Sequence, residues 1–196
     1  MSGTRKYELK QRAARLEETR RRIVEETVRL HLEAGPAETR ISEIARRAGV
    51  QRATVYSHFP DDASLFAACS AHWRELHPAP DPAAWAAIGD PGERLRAALG
   101  ALYGWFRETE TMTAHVLRDA ERLPALRGVV EPGLGAYLEA VRGLLAAPFG
   151  ARGRRGERLD AALRAATDFH LWRALAPLGD GEAAELAAAL VERAAA

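Results

Sequence analysis

The stretch TRISEIARRAGVQRATVYSHF, residues 39–59, decides how the first part of this chain is expected to fold. Its apolar spacing predicts two short helices, about 41–48 and 52–59. Gly49 falls between them, where the chain needs a residue that accepts a positive φ. Two short helices joined by a glycine-containing turn form a helix-turn-helix. The residues spaced to face inward are Ile41, Ile44, Ala45, Ala48, Val55 and Phe59.

The second of these helices leaves hydrogen-bonding side chains on its outer face. Such side chains suit base edges and phosphates better than a protein core. Other helical proteins also contain two short helices with a glycine between them, so the spacing alone leaves both interpretations open. The outward residues are Gln51, Arg52, Thr54, Tyr56, Ser57 and His58.

Charge divides the chain in the same way. Residues 1–60 contain 13 Lys and Arg against 8 Asp and Glu, whereas the remaining residues contain 15 against 19. A basic first third on a slightly acidic body indicates that one part meets a polyanion. Residues 1–8 are polar and are expected to be disordered. They begin a basic arm of about residues 1–14 that we expect to follow DNA.

Composition predicts an all-α protein, because 47% of residues are hydrophobic, Ala and Leu dominate, and β-branched residues are few. A first helix is expected from about Leu9 to Ala34, with a stripe of Leu16, Ile23, Thr27, Leu30 and Ala34. Further helices are expected at about 62–77, 92–109, 111–122, 132–146, 157–176 and 181–195.

Several classes of protein fit the sequence poorly. There is no phosphate-binding glycine loop and no nucleophile elbow, and His72 and His77 are spaced wrongly for one helical metal site. We therefore expect no enzymatic activity, no cofactor and no metal. Cys69 is the single cysteine, and no apolar run approaches about 20 residues. The expectation is a soluble cytoplasmic protein without membrane contact, in which Cys69 is a small core residue.

Residues 20–70 resemble the TetR-type transcriptional regulators. The resemblance rests on Ala34-Gly35, on ISEIARRAGV at 41–50 and on TVYSHF at 54–59. It implies an N-terminal helix-turn-helix domain, residues 1–61, and a larger helical ligand-binding and dimerisation domain, residues 62–196. It also implies a homodimeric repressor that a small-molecule effector releases from a palindromic double-stranded DNA operator.

The resemblance assigns roles to residues of the recognition segment. Arg52, Ala53 and Thr54 would touch bases, Tyr56 and His58 would reach phosphates, and Thr39 would cap the second helix beside a phosphate. Two positions depart from the family pattern: Gln51 replaces the usual Ser, and Asp61-Asp62 stand where Lys is common. The full predicted DNA-contacting set is Thr39, Arg40, Gln51, Arg52, Ala53, Thr54, Tyr56, Ser57 and His58.

The larger domain yields two further predictions. Aromatic, Met and His residues at helical spacing are candidates for an effector pocket, although the same residue types commonly form plain core. The last two predicted helices are apolar on more than one side, which favours a partner chain over a single thick core. The pocket candidates are Tyr103, Phe106, Met112, His115, Tyr137, Phe169, His170 and Trp172, and the dimer candidates are Leu159, Leu163, Leu171, Leu175, Leu186 and Leu190.

The main alternative is an architectural helical protein that binds DNA without sequence preference. A sequence-specific repressor and an architectural protein differ in their preference for an operator over random DNA, because a non-specific binder shows no such preference. A helical enzyme or ligand carrier with an incidental helix-turn-helix would show no operator affinity at all.

Overall fold

A computed structural model describes residues 2–196, with side chains from Tyr7 onward. Over this range the chain forms α-helices and short 3₁₀ or π turns and no strand, so the prediction of an all-α fold is confirmed. The helices are α1 Ser2–Ala34, α2 Ile41–Arg47, α3 Arg52–His58, α4 Asp62–Leu76, α5 Ala83–Ala86, α6 Pro91–Glu108, α7 Glu110–Ala120, α8 Pro124–Val130, α9 Ala136–Ala146, α10 Gly153–Ala166, α11 Phe169–Leu175 and α12 Asp180–Ala195.

The helices form two compact units. The first contains the chain through His77 together with Ala114–Val130, and the second contains Pro78–Thr113 and Glu131–Ala196. Packing therefore groups α4 with the helices before it, and the division falls within α7. The predicted functional boundary after residue 61 stays a prediction.

The first unit has its core where α1, α2, α3 and α4 meet. Large apolar side chains that are almost fully buried there include Ile23, Ile44, Val55, Phe59 and Leu65. Phe66 of α4 packs with Ala120 and Leu126, which come from α7 and α8. The first unit is thus built from helices of two separate parts of the chain, which meet at α4.

The prediction of a disordered arm is wrong for the described residues, because α1 already begins at Ser2. Residues 4–16 include good helix formers and no Gly or Pro, so nothing interrupts the helix there. The predicted apolar stripe is correct only in its middle. Ile23, Thr27 and Leu30 are buried, whereas Leu16 is 51% exposed and Ala34 is exposed.

The second unit is organised around α6, α9, α10 and α12. One face of α12 is built almost entirely from small side chains, and this face packs against α6 and α10. Alanine side chains permit close approach of helices. The buried residues of this face are Ala183, Ala184, Ala187, Ala188, Val191 and Ala195.

The helix predicted at 157–176 is in fact two helices. It breaks after Ala166, because the Asp168 carboxylate accepts hydrogen bonds from the backbone N–H groups of His170 (2.8 Å) and Leu171 (3.1 Å) and so starts a new helix. Two helices, α5 and α8, were not predicted. α5 follows Pro82, and Pro124 occupies the first position of α8, where the missing N–H costs nothing.

Candidate nucleic-acid interface and regulatory unit

The turn between α2 and α3 has the geometry of a helix-turn-helix. Gly49 has φ +66°, and an added Cβ would find open space, so the backbone angle and not crowding requires glycine here. The Val50 N–H donates to the Ala45 carbonyl at 2.9 Å and closes the end of α2. The turn that the sequence predicted is therefore present.

The recognition helix α3 is held by a small buried face. Val55 is fully buried and Phe59 is 2% exposed, as the four-residue spacing predicted. Ile44 and Ala45 of α2 are buried in the same unit. Outside this buried face, most of the residues of α3 are exposed.

The outer surface of α3 carries most of the predicted DNA-contacting residues. Thr54 and His58 are half-buried, and the Ser57 hydroxyl donates to the Thr54 carbonyl at 2.8 Å. Contact of these side chains with DNA stays a prediction. The exposed residues of the predicted set are Arg40, Gln51, Arg52, Ala53, Tyr56 and Ser57.

The residues that precede the two short helices do not cap them with side chains. Gln51 occupies the N-cap position of α3 without a side-chain hydrogen bond, so its amide is free to bind DNA. The implied capping role of Thr39 is wrong: Arg40 is the N-cap residue of α2, and the Thr39 hydroxyl donates to the Gly35 carbonyl at 2.8 Å. Thr39 therefore stabilises the turn after α1.

Asp61 has a structural role in this chain. Its carboxylate accepts a hydrogen bond from the Ser64 N–H at 2.7 Å and caps α4, and this bond lowers the pKa of the carboxyl group. Asp61, one of the two acidic residues at the positions where the family commonly has Lys, therefore caps α4. This chain lacks the positive charge that such a Lys would provide.

Arg20 contacts the end of the recognition helix and was missed in the sequence. Its Nη1 donates to the His58 carbonyl at 3.1 Å, and its guanidinium carbon lies 4.2 Å from the centre of the Phe59 ring. A cation near the last carbonyls of a helix is favourable. One feature of the sequence could have indicated that Arg20 faces the rest of the unit. Arg20 follows Leu16 by four residues and precedes Ile23 by three, which is the spacing of one side of a helix.

A second missed group fixes the turn that follows α1. The buried carboxylate of Asp119 accepts a hydrogen bond from the Ala37 N–H at 2.9 Å and one from Arg118 Nε at 2.7 Å. Burial raises the pKa of Asp119, but these two donors outweigh burial and the net pKa is lowered. Gly35 has φ +93°, and a Cβ there would lie 2.7 Å from the Asp119 carboxylate. The turn therefore depends on a residue 82 positions away.

Two histidines lie in this region of the first unit. The His115 Nδ1–H donates to the His31 carbonyl at 2.9 Å, which gives His115 a structural contact in the first unit. Its role in an effector pocket stays a prediction. The His31 side chain is 4% exposed, and burial lowers its pKa to about 4. A cavity of about 140 Å³ next to His31, Ile44 and Phe66 is below the range of drug-sized sites.

The second unit contains seven of the eight predicted pocket residues, and five of them are buried. The rings of Phe106, Phe169 and Trp172 lie within 5.4–5.7 Å of each other, centre to centre. The Tyr103 hydroxyl is buried and donates to the Ala166 carbonyl at 2.8 Å. Met112 is also buried in this unit. Phe106, Phe169 and Trp172 therefore form an aromatic cluster in the core of this unit.

The other pocket candidates of this unit lie at its edges. The Tyr137 hydroxyl donates to the Pro80 carbonyl at 2.8 Å, and the Tyr137 ring is 6.2 Å from Trp105. Burial raises the pKa of Tyr137 to about 12, so the group stays neutral. His170 is exposed and lies at the edge of the Phe169 ring.

Two polar groups in this unit were not identified from the sequence. Asp180 accepts hydrogen bonds from Arg107 Nε at 2.7 Å and from Trp172 Nε1 at 3.3 Å, which ties α12 to α6 and α11. Arg142 is mostly buried, and within the described residues its Nε makes no hydrogen bond. Arg142 was hidden in the sequence by the apolar residues around it.

The predicted dimer residues divide into three groups. Leu159 and Leu163 are 3% and 1% exposed within a single chain, so their predicted role in a partner contact is wrong. Leu171 and Leu175 are half-buried. Leu186 and Leu190 are 44% and 54% exposed on α12.

The described residues were also compared with what a reactive thiol, a metal site and a membrane-spanning helix require. Cys69 is buried, and burial raises its pKa to about 12, which fits its predicted role as a core residue. Across residues 2–196 no three His, Cys, Asp or Glu side chains are grouped as metal ligands would be. None of the described helices has the length and hydropathy of a bilayer-spanning segment.

Sequence comparison places the recognition segment in a known group. Residues 23–69 match the domain described as "Bacterial regulatory proteins, tetR family". Over 50 residues the chain is 42% identical to the HTH-type transcriptional regulator AcrR of Shigella flexneri, which covers 26% of this chain and 23% of that protein. The chain thus aligns with less than a quarter of the length of that relative.

Structural comparison extends the similarity to most of the chain. A TetR-family transcriptional regulator from Mesorhizobium loti superposes with a TM-score of 0.63 at 18% identity, over 92% of this chain and 96% of that one. NalD, the secondary repressor of the MexAB-OprM multidrug efflux pump in Pseudomonas aeruginosa, gives 0.57 at 22% identity, over 91% and 96%. At these identities the similarity shows a shared fold.

Proposed function

We propose that this chain, whose N-terminal domain belongs to the TetR family of transcriptional regulators, is a sequence-specific repressor. In this proposal it binds a palindromic operator as a homodimer in the cytoplasm, and a small-molecule effector releases it. The relatives are regulators and not enzymes, in agreement with the prediction of no catalytic activity.

The observation that carries the proposal is the division of α3 into a buried and an exposed face. Val55 is buried, while Arg52, Ala53 and Tyr56 are exposed at the surface of the first unit. A recognition helix in a major groove presents its first residues to the bases. Arg52 is the first residue of α3, and a guanidinium can donate two hydrogen bonds to one guanine.

The test is selection of bound sequences from a random DNA pool, followed by affinity measurements on the selected site. We expect two half-sites related by a dyad, with centres about one helical turn, roughly 34–36 Å, apart. Arg52→Ala should cost about 1–3 kcal/mol per affected contact and relax the preference at one position in each half-site. Arg122→Ala is the matched control, because Arg122 is also exposed but lies outside the helix-turn-helix.

The same experiment separates the alternative. An architectural protein would return no consensus, and Arg52→Ala would then weaken binding to all sequences alike. An unchanged consensus with Arg52→Ala would mean that α3 is not the reading helix.

Homodimerisation is proposed from the exposed apolar pair on α12. Leu186 and Leu190 lie one helical turn apart, while the opposite face of α12 is already covered by α6 and α10. A second copy of this chain can cover such a pair through a two-fold interface, in which the same residues meet their equivalents. A dimer also supplies the two recognition helices that a palindrome requires.

The effector site is proposed at the aromatic core of the second unit. Phe106, Phe169 and Trp172 supply apolar surface, and the free Nε of Arg142 supplies a donor in the same unit. The effector would act by favouring a conformation with lower operator affinity. A panel of aromatic cations and aromatic carboxylates tests this: a true effector raises Tm with its concentration and releases the selected DNA.

A further inference from the structure

Four exposed side chains lie in one row along α12. At 3.6 residues per turn they fall within an arc of about 80° around the helix. In chain order the row is acidic, apolar, apolar and basic: Glu182, Leu186, Leu190 and Arg193. The leucine pair therefore has opposite charges at its two ends.

The two charges of this row have no partner within the described part of the chain. The nearby carboxylates Glu185 and Glu192 both pair with Arg96 of α6, at 2.9 and 3.1 Å. No ion pair of this kind involves Glu182 or the Arg193 guanidinium. These two residues are 11 positions apart, about 16 Å along the helix, so they cannot pair with each other in one chain.

The basic end of the row is reinforced by the first residues of α10. Arg158 Nη2 donates to the Arg193 carbonyl at 3.3 Å, and Arg155 Nε donates to the Ala195 carbonyl. Both of these arginines are exposed. The first turn of α12 carries carboxylates instead. The exposed side of α12 is thus acidic where the helix begins and basic where it ends.

This pattern is complementary to itself under one kind of two-fold symmetry. The midpoint of the leucine pair is Ala188, and the midpoint of the two charges falls between Ala187 and Ala188. A two-fold axis perpendicular to the helix at this point makes two copies of α12 antiparallel, with each Glu182 opposite the partner's Arg193. An axis along the helix would make the copies parallel, and like charges would then face each other.

We propose that Glu182 and Arg193 set the register of the homodimer, in which two copies of α12 pack antiparallel and each Glu182 pairs with the partner's Arg193. This inference rests on the proposed homodimerisation through Leu186 and Leu190. The coincidence of the two midpoints favours a second copy of this chain, because a different partner protein would impose no such symmetry on the row. Leucine burial supplies affinity, and the charges select the orientation because opposed like charges are unfavourable.

The test measures dimer dissociation of Glu182→Arg, Arg193→Glu and the double variant by sedimentation. Either single variant places like charges at both ends of an antiparallel dimer, so in about 0.1 M salt its dissociation constant should rise about tenfold. The double variant exchanges the two charges and should restore the wild-type value. In about 1 M salt the Debye length is about 3 Å, so the single variants should approach the wild-type protein at the same salt concentration.

The matched control is Glu121→Arg, which makes the same change of charge at an exposed residue of the first unit. It should leave the dissociation constant unchanged. In a parallel dimer the single variants would also resemble the wild-type protein, because like charges would face each other before and after the substitution.

Cross-linking tests the register by a different measurement. Glu182→Cys and Arg193→Cys are prepared separately, mixed to allow subunit exchange, and treated with a short thiol-specific cross-linker. Cys69 is buried, so the wild-type protein serves as the unreactive control. An antiparallel dimer should give linked chains only in the mixture, whereas a parallel dimer should link each variant to itself.

The contrary outcomes separate this proposal from the homodimer itself. Unchanged dissociation constants in the single variants, or cross-linking of each cysteine variant alone, would overturn the register while leaving the dimer intact. A double variant as weak as the single variants would mean that the two side chains do not meet. A wild-type monomer at micromolar concentration would refute homodimerisation and, with it, this inference.

Discussion

The two units differ in what they bury and in what they expose. The first unit buries an ionisable pair, His31 and Asp119, and exposes polar side chains such as Arg52 on its recognition helix. The second unit buries leucines such as Leu163 and exposes a further apolar pair on α12. A polar exposed helix suits a polyanion, whereas an exposed leucine pair suits another protein surface. This difference supports the two proposals that DNA binds the first unit and that a second copy of the chain binds the second.

The leucines of the second unit show that spacing along a helix does not by itself determine which side chains are buried. Leu159 and Leu163 on α10 are four residues apart, as are Leu186 and Leu190 on α12, yet the first pair is buried and the second exposed. On α12 the alanines occupy the inner face, so the larger leucines are left outside. The two pairs should therefore respond differently to the same substitution.

Leu163→Glu is expected to have the largest effect. It places an unpaired carboxylate in the core of a single chain, which should cost more than about 4 kcal/mol of unfolding free energy. Circular dichroism should show an unfolded or strongly destabilised protein at 25 °C. A folded monomer with near wild-type Tm would instead mean that Leu163 lies in a subunit interface.

Leu190→Glu should dissociate the dimer without unfolding the chain. Each interface would lose two buried leucines, about 3 kcal/mol or more in total, so dimer dissociation should increase by roughly a hundredfold or more. Sedimentation at micromolar concentration would measure this, with Leu76→Glu as the control. Leu76 is a leucine of similar exposure, 58%, on α4 of the first unit. A wild-type monomer, or equal dissociation by both variants, would refute the proposed interface.

Acid should destabilise the first unit before the second. Burial lowers the pKa of His31 from 6.5 to about 4, so between these values the unfolded state binds a proton that the folded state excludes. Stability from this group is complete above pH 6.5 and falls as the pH decreases toward 4, by about 3 kcal/mol. Hydrogen exchange should show faster opening of α1 than of α12 over this range. His31→Phe should remove the difference, and if it persists another group is responsible.

The recognition segment was predictable because local rules determine it. The φ of Gly49, the spacing of Val55 and Phe59 and the capping position of Gln51 all depend on residues within one or two turns. These features could be predicted without knowing which other helices pack against this segment. The same locality explains why the exposed side of α3 followed directly from the sequence.

The sequence was less informative where contacts join distant residues. Asp119 contacts Ala37 across 82 positions, and Arg20 contacts His58 across 38, and neither pairing leaves a local pattern. The break at Asp168 was overlooked because the apolar spacing continues through it, although Asp is a strong N-cap.

The contact between Asp119 and Ala37 also has a consequence for the order in which the chain folds. The backbone hydrogen bond from Val50 to Ala45 spans five residues, so the helix-turn-helix can form early from nearby contacts. The bond to Ala37 must close a loop of 82 residues and carries a larger entropic cost. On the ribosome the recognition helix is therefore made long before the segment that fixes the turn in front of it. Until residues 114–130 emerge, Phe66 lacks its partners Ala120 and Leu126, and a nascent chain of that length has an incomplete first unit.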